Sequence, residues 1–290
     1  IKNDQSLSKT KILETQDQVI YTDRIFNINQ ISKDHISYAA DIMKALQKKS
    51  GNDIYIMPIP QRAVLESGYE TEKEKYSDFT EKLEASFSEP SVVLNPLSEL
   101  EKHQYEYIYF RTGNSWTMRG AFYGTQVILE ELGYDKENLD AYREYVFGTF
   151  DGKLLLEALE KYTTDEIKKD IENMEQEPFY IYINGSNPNR EELIFENKEG
   201  QLQTLKRQMI QFNSSGSRAV IGSDYTHSIV EGRGKGQRKG NLLLIADTRG
   251  KMMISYLSEI FEKVYVSNIE EDADLIQNLD EILEKYNIEY

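Results

Sequence analysis

The last third of the chain alternates short apolar runs with longer amphipathic ones. Residues 241–246 (NLLLIA) and 264–267 (VYVS) are typical of buried strands. Residues 250–263 and 273–286 carry apolar side chains at spacings of three and four, which predicts helices. Two strands joined through a helix lie parallel in one sheet, with a right-handed crossover. The alternation therefore predicts an α/β fold with a parallel sheet, and a further strand is expected to start near Tyr290.

Strand and helix patterns also fill most of the preceding chain. Gly133 follows a helical pattern and is the residue type that most often ends helices. We predict a flexible N-terminal segment over residues 1–20 and a single domain over residues 21–290, with an inserted α+β region at about 140–225. The predicted strands cover 53–58, 91–94, 105–111, 142–150 and 179–184, the predicted helices cover 33–49, 71–87, 118–132, 154–162 and 165–174, and a hairpin covers 192–206 with its turn at 197–200.

The composition of the 290 residues excludes several classes of protein. The chain has no cysteine, so it has no disulfide, no thiolate zinc site and no cysteine nucleophile. Its three histidines, at positions 35, 103 and 227, are far apart in sequence, and we expect neither a metal site nor a cofactor. A net charge of −16 argues against nucleic-acid binding, which needs a positive face. The longest aliphatic run, residues 242–246, is far shorter than the ~20 residues of a membrane span.

Two loops follow predicted strands and precede predicted helices. They are residues 111–117 (RTGNSWT) and 246–250 (ADTRG). In parallel sheets ligands bind beyond the carboxyl ends of the strands, which is where both loops are expected. Backbone N–H groups at the two helix starts are further expected to serve an anion or an oxyanion. The sequence thus predicts that the candidate site lies at these two loops.

Both loops lie in segments that resemble one protein family. Residues 242–268 (LLLIADTRGKMMISYLSEIFEKVYVSN) resemble the nucleophile block of the SGNH hydrolase superfamily, in which a strand delivers Gly-Asp-Ser to a helix start. Residues 107–133 (YIYFRTGNSWTMRGAFYGTQVILEELG) resemble the signature of the DHHW proteins, which are SGNH-like proteins similar to the extracytoplasmic acetyltransferases of alginate O-acetylation. Residues 21–28 (YTDRIFNI) and 53–66 (DIYIMPIPQRAVLE) are also similar to that family. The resemblance covers most of the chain, with the acid and base motif before the nucleophile block as in the family.

The resemblance implies a fold and a cellular setting. The implied fold is a three-layer α/β/α, SGNH-hydrolase-like (flavodoxin-like) arrangement around a parallel sheet. The implied setting is bacterial and extracytoplasmic, with the protein secreted or anchored through an N-terminal segment that precedes Ile1. O-acetylation of an envelope or secreted polysaccharide further implies a polysaccharide ligand and a membrane-bound acyltransferase as partner.

This chain departs from the family pattern at the catalytic positions. Gly113 stands where the family has Asp, Ser115 stands where it has His, and Thr248 replaces the nucleophilic Ser. Ala246 replaces a Gly, while Asp247 is retained. A hydroxyl nucleophile needs an adjacent base, and that base needs an orienting acid, so the changed positions do not supply a working triad. We therefore expect a non-catalytic accessory or glycan-binding protein.

Two rival functions stay open. An acetyl-ester hydrolase or O-acetyltransferase could still use Thr248 and Asp247 if His227, from another loop, supplied the base. The simpler interpretation of His227 is a surface or locally hydrogen-bonded residue. The other rival is a surface scaffold or adhesin that uses the fold only for its shape.

Five residues near the changed positions are candidates for ligand binding: Trp116, Asn114, Arg111, Arg249 and Arg119. Trp116, which the family also has, is either a sugar-stacking platform or an anchor that holds the loop against the core. Arg111 and Arg119 either bind a carboxylate or neutralise neighbouring acids. The basic stretch 233–239 is either a mobile loop or a contact for an anionic glycan.

Overall fold

The structure is a computed structural model, and it describes residues 13–15, 18–21, 24–27, 41, 43–48, 54–87, 91–162, 164–184, 191–196, 202–207, 227–232, 239–268 and 275–290. The strands are β1 (Leu13–Thr15), β2 (Gln18–Tyr21), β3 (Arg24–Asn27), β4 (Ile54–Ile56), β5 (Ser91–Val93), β6 (Tyr142–Phe150), β7 (Glu177–Asn184), β8 (Glu191–Glu196), β9 (Leu202–Arg207), β10 (His227–Glu231), β11 (Lys239–Ala246) and β12 (Phe261–Asn268). The helices are α1 (Glu70–Ala85), α2 (Leu97–Lys102), α3 (Met118–Glu131), α4 (Lys153–Lys161), α5 (Asp165–Glu172), α6 (Ile254–Leu257) and α7 (Leu275–Lys285), with 3-10 turns at Arg62–Leu65, Leu139–Ala141 and Gly250–Met253. Residues 43–48 are also helical, within the helix predicted over 33–49.

The described strands form small sheets of mixed direction. β1, β2 and β3 form an antiparallel meander. β4 pairs with β5 in parallel, whereas β6 pairs with β7 in the antiparallel direction. A five-stranded sheet has the order β11-β12-β10-β8-β9, and only its β11–β12 pair is parallel. The fold is mixed α/β, and the ladders of the described residues do not confirm the single parallel sheet expected from the sequence.

The parallel pair predicted near the C-terminus is present. β11 runs parallel to β12, with Leu243 opposite Tyr265, and α7 follows β12 in the chain. Beyond α7, Ile288 forms a parallel bridge with Asn241, and the N–H of Glu289 donates to the Asn241 carbonyl at 2.9 Å. Backbone pairing with β11 therefore begins again where the further strand was expected.

The helix predicted over 250–263 is shorter than expected. A 3-10 turn at its start leads into α6, which ends at Leu257, and β12 already begins at Phe261. The Phe261 ring is fully buried, and its backbone pairs with Lys239. Because the same residues cannot be helical and also join a ladder, the burial of Phe261 in the sheet ends the helix early.

The prediction of a strand over residues 105–111 is wrong. In that segment the described ladder consists of one isolated bridge, between Tyr109 and Trp116. The N–H of Phe110 donates to the carbonyl of Ser115 at 3.1 Å. The segment folds back on the loop that follows it, and its other backbone partners include Arg62, Ile25 and the side chain of Glu177 instead of a longer ladder.

Helix α3 is fixed at both ends by its own sequence. The side chain of Thr117 accepts a hydrogen bond from the N–H of Gly120 at 3.3 Å, which caps the start of the helix. At the other end Gly133 has a φ of 72°, and the N–H of Tyr134 donates to the carbonyl of Leu129 at 2.8 Å. This is a Schellman motif, and it confirms Gly133 as the residue that ends the helix.

The largest cluster of buried side chains surrounds α3. Trp116 is fully buried at its centre, and a Cβ atom at position 124 would lie 2.5 Å from the indole ring. Gly124 therefore lets the helix pass directly over the tryptophan. The other fully or nearly fully buried members of the cluster include Phe110, Met118, Phe122, Phe179, Ile181, Tyr256 and Phe261.

Several predicted elements lie where the sequence placed them. The strands predicted over 142–150 and 179–184 are β6 and β7, and the predicted hairpin 192–206 is the antiparallel pair β8 and β9. The turn predicted for that hairpin lies outside the described residues. The division of the chain into residues 1–20 and 21–290 stays a prediction, and strand β1 lies within the first of these segments.

Candidate functional site

Glu177 organises the loop that begins at Arg111. This side chain is only 2% exposed and lies at the start of β7. Its carboxylate accepts hydrogen bonds from the N–H groups of Arg111 and Thr112, from the hydroxyl of Thr112, and from the hydroxyl of Tyr107 at 2.7 Å. Burial raises the pKa of Tyr107 far above its usual range, and the charge of Glu177 raises it further. The first two residues of the loop are therefore fixed by one buried carboxylate.

An aromatic ring occupies the space beside Gly113, where the family has its acid. A Cβ atom at position 113 would lie 3.0 Å from Cε1 and 3.3 Å from Cζ of Phe150. The Phe150 ring is itself stacked on Phe110, with 3.9 Å between the ring centroids. On the next element, a Cβ atom at Gly152 would lie 1.9 Å from the carbonyl oxygen of Thr112. A carboxylate side chain at position 113 therefore requires Phe150 to move.

Phe150 reaches this place through a bulge in β6. The pairing of β6 with β7 runs as far as Val146 and resumes at Thr149. Between them Gly148 has a φ of 78°, a conformation that glycine adopts readily. Bulges bend a strand and redirect the side chains beyond them. The bend comes two residues before Phe150, whose ring packs against the loop.

Asp247 caps the second loop with its own carboxylate. Oδ1 accepts hydrogen bonds from the N–H groups of Arg249 at 3.0 Å and Gly250 at 2.9 Å. Oδ2 accepts from the Arg249 guanidinium at 2.6 Å. The two N–H groups of this second loop, which the sequence predicts as anion-binding groups, donate to the Asp247 carboxylate instead. Thr248 lies between Asp247 and Arg249 in the chain and is partly exposed.

Trp116 joins the two loops. Its indole Nε1–H donates to the carbonyl of Arg249 at 2.9 Å, and the ring has no exposed surface. A fully buried ring cannot stack on a sugar, so of the two interpretations the geometry supports the anchor.

Arg119, two residues beyond the first loop, lies among carboxylates. Its guanidinium donates to Glu106 at 3.0 Å, to Glu144 at 3.2 Å and to the hydroxyl of Tyr182 at 3.0 Å. The surrounding acids account for the charge of this arginine, which matches the alternative that it neutralises its neighbours.

The other candidate ligand-binding residues lie at the two loops. Arg111 has its Nε 3.9 Å from an oxygen of Glu177, and Arg249 is paired with Asp247. Asn114 is partly exposed between Gly113 and the equally partly exposed Ser115. The two loops therefore bring together the changed catalytic positions and three of the candidate ligand-binding side chains, Asn114, Arg111 and Arg249.

The backbone of His227 begins β10, opposite Ser267 of β12. Ser267 in turn pairs with Ile245 near the end of β11. Position 227 thus lies at the sheet edge where β11 ends, two strands away, or about 10 Å between backbones. The side chain of His227, the whole of His35 and the basic residues 233–238 lie outside what the structure describes.

The described ranges hold neither a cluster of metal ligands nor a membrane-spanning helix. Within them no three His, Asp or Glu side chains gather as metal ligands. No described helix is long and apolar enough to cross a membrane.

Comparison with known proteins decides the family. The family model described as DHHW protein matches residues 21–267. This chain belongs to the DHHW family. The match spans both candidate loops, and the assignment of Gly113, Ser115 and Thr248 to the family's catalytic positions stays a prediction from the sequence. Among curated proteins, none matches this DHHW chain.

Solved structures share the fold of this DHHW protein. A DHHW family protein from Eubacterium siraeum has a TM-score of 0.74 and 18% identity, and the alignment covers 96% of this chain and 90% of that one. Bacillus cereus PatB1 with a sulfonyl adduct has a TM-score of 0.64 and 12% identity, with 98% and 93% covered. A second structure of PatB1 has a TM-score of 0.61 and 14% identity, with 97% and 94% covered.

Two residues that shape the site were missed by the sequence analysis. Glu177 is one of 50 Asp and Glu residues, and nothing in its local pattern separates it from the exposed ones. Phe150 ends a predicted strand, but its contact with Gly113 depends on the bulge at Gly148. Both act through long-range contacts that spacing along the chain does not report.

Proposed function

We propose that this DHHW protein is a non-catalytic relative of SGNH esterases and acetyltransferases that binds a polysaccharide during the O-acetylation of a bacterial glycan. The proposal includes an extracytoplasmic location and a membrane-bound acyltransferase as partner, both of which follow from the setting of the family. It also includes the three-layer α/β/α arrangement of residues 21–290 as one domain. The fold similarity over nearly the whole chain supports that last part.

The contact between Phe150 and Gly113 carries the proposal. In the family this position holds the acid that orients the base, and here a phenyl ring packs against a glycine instead. A simple loss of the carboxylate would leave room for it, whereas the ring fills that room with an apolar side chain. The replacement of the acid is thus matched by the packing around it.

The neighbouring positions support the same conclusion. Ser115 cannot take a proton near neutral pH, and Thr248 therefore has no base from the first loop. Asp247 is engaged as a helix cap and as the partner of Arg249. Without an acid and a base, the binding groups that remain do not amount to an efficient esterase.

An active acetyl-ester hydrolase or O-acetyltransferase is the second candidate. One observation favours it, because the pairing of β10, β12 and β11 brings the backbone of His227 to the sheet edge that also carries Thr248. In that case His227 would act as the general base for the Thr248 hydroxyl, a role that needs a separation of about 3 Å or one bridging water.

Labelling with a sulfonyl fluoride separates the two candidates. Phenylmethylsulfonyl fluoride reacts with activated hydroxyl nucleophiles, and the structure of PatB1 contains a sulfonyl adduct. We expect intact-mass spectra of this protein to show the same labelling as its Thr248→Ala variant. An adduct that maps to Thr248 and is missing from Thr248→Ala would contradict the proposal and favour the enzyme.

A further inference from the structure

We propose that the turn at residues 103–106 presents Tyr105 as a stacking platform for a neutral sugar. The next residue, Glu106, belongs to a hydrogen-bonding cluster with Arg119, Glu144 and Tyr182 that would bind the sugar hydroxyls. The inference rests on the glycan-binding part of the proposed function. It does not depend on whether the family's catalytic site is active. It places the sugar at the turn of residues 103–106 and the start of α3, not on the two loops themselves.

The observation that starts the argument is the exposure of Tyr105. Its side chain is 94% exposed, the largest value among the exposed large apolar and aromatic residues of the described chain. The turn that carries it is closed by a backbone hydrogen bond of 2.9 Å from the N–H of Glu106 to the carbonyl of His103. Nδ1 of His103 and Oε1 of Glu106 lie 2.7 Å apart, which closes the turn a second time. An aromatic ring on a fixed turn loses little entropy when it binds.

Contacts with Tyr123 of α3 hold this turn in place. The His103 ring is stacked on Tyr123, with 3.5 Å between centroids and 8° between planes. The hydroxyl of Tyr123 donates to Oε2 of Glu106 at 2.8 Å. Burial raises the pKa of Tyr123, and its hydrogen bond to Glu106 raises it further, so this hydroxyl stays a donor. The turn that carries Tyr105 therefore packs on α3, the helix that the largest buried cluster surrounds.

Arg119 extends the cluster from the turn to β6. It donates to Glu106 and to Glu144, and the side chains of all three remain about a third to a half exposed. The hydroxyl of Tyr182 lies between them, accepting from Arg119 and donating to Glu144. The result is a fixed array of partly exposed donors and acceptors.

These features match a sugar better than a protein partner. A pyranose ring offers an apolar C–H face to an aromatic side chain and hydroxyl groups to carboxylates and guanidinium groups. A protein interface needs an apolar core from which charged residues are depleted, and the residues next to Tyr105 are polar. Glu99, with its carboxylate 3.8 Å from Nε2 of His103, is balanced by Lys102 and Lys136. The cluster itself holds two carboxylates, Glu106 and Glu144, against the single guanidinium of Arg119. The excess of carboxylates disfavours a uronic acid and favours a neutral sugar.

The buried position of Trp116 makes a separate platform necessary. In this protein the loops offer no tryptophan surface to a sugar, because the indole of Trp116 is enclosed. Tyr105 lies before the first loop in the chain. The start of α3, which follows that loop, contacts the backbone near Tyr105, because the Thr117 hydroxyl donates to the carbonyl of Tyr107 at 2.7 Å.

A glycan array tests the proposal with three variants. The array carries oligosaccharides of neutral hexoses and N-acetylhexosamines beside oligouronates. We expect the wild-type protein to bind neutral glycans, Tyr105→Ala to bind them about tenfold more weakly, and Glu144→Gln about threefold more weakly. Tyr145→Ala is the matched control, since Tyr145 is 44% exposed and lies outside the cluster. It should bind like the wild type.

Three results would overturn the proposal. They are no binding to any neutral glycan, equal binding by Tyr105→Ala and the wild type, and binding confined to oligouronates. Folding is checked by the melting temperature, which Tyr105→Ala should leave unchanged because the side chain makes few contacts. Turnover of an acetyl ester would contradict the proposed lack of catalysis without altering the result on the array.

Discussion

Gly113, at the position where the resemblance to the family implies an acid, packs against the phenyl ring of Phe150 from the end of β6. Cε1 of Phe150 would lie 3.0 Å from a Cβ atom at position 113, and the Phe150 ring stacks on Phe110 against the largest buried cluster. Loss of a catalytic side chain leaves a gap that costs packing energy, and filling the gap recovers it. The pair of Gly113 and Phe150 is therefore expected to behave as one energetic unit.

Gly113→Asp tests this coupling. We expect it to lower the free energy of unfolding by about 1–3 kcal/mol because the new side chain is forced against Phe150. In a Phe150→Ala background the same substitution should cost at least about 1 kcal/mol less, which chemical denaturation of the four proteins in the cycle measures.

Asn114→Asp is the control for that cycle, because it adds the same charge at the next residue of the loop, where the side chain is partly exposed. It should change stability little, within about 0.5 kcal/mol. Equal costs of Gly113→Asp in the two backgrounds would show that Phe150 does not occupy the acid's place.

The changed catalytic positions could be read from the sequence, but the side chains around them could not. Gly113, Ser115 and Thr248 stand out because the motifs that flank them in the sequence resemble those of the family. The sequence does not predict whether Trp116 is buried, because a tryptophan in a loop suits both a core anchor and a sugar-stacking platform. The ring is buried because Gly124 on α3 has no side chain and leaves the space that the indole fills.

The segment from Tyr105 to Arg111 shows why an element with strong strand propensity failed to form a strand. Its aromatic residues favour a sheet, yet Glu177 takes the N–H group of Arg111 and the hydroxyl of Tyr107. At the end of the segment, a side-chain carboxylate thus takes the backbone N–H that a neighbouring strand would otherwise pair with. Propensity along the chain does not contain this long-range contact.

Glu177→Gln should destabilise the protein by about 3 kcal/mol. The amide nitrogen cannot accept the bonds that the carboxylate accepts, and it faces N–H groups that are left buried without acceptors. Glu175→Gln is the matched control, because Glu175 is exposed two residues earlier and its loss should change stability by less than about 0.5 kcal/mol. Equal unfolding midpoints for the two variants would mean that Glu177 does not hold the loop.

Over the whole chain, the sequence predicted local pairing better than the assembly of sheets. The parallel pair of β11 and β12 and the antiparallel hairpin of β8 and β9 both join segments that are close in sequence. The neighbours of β10 are not, because it lies between β12 and β8 in antiparallel register. Order within a sheet depends on contacts between distant segments, which alternation of strands and helices does not specify.

Hydrolysis of p-nitrophenyl acetate measures directly whether this DHHW protein has lost its chemistry. The packing of Phe150 on Gly113 and the lack of a base in the first loop predict that the wild-type protein releases p-nitrophenol no faster than its Thr248→Ala variant at the same concentration. Turnover by the wild type that both Thr248→Ala and His227→Ala abolish would contradict the proposal and establish an enzyme.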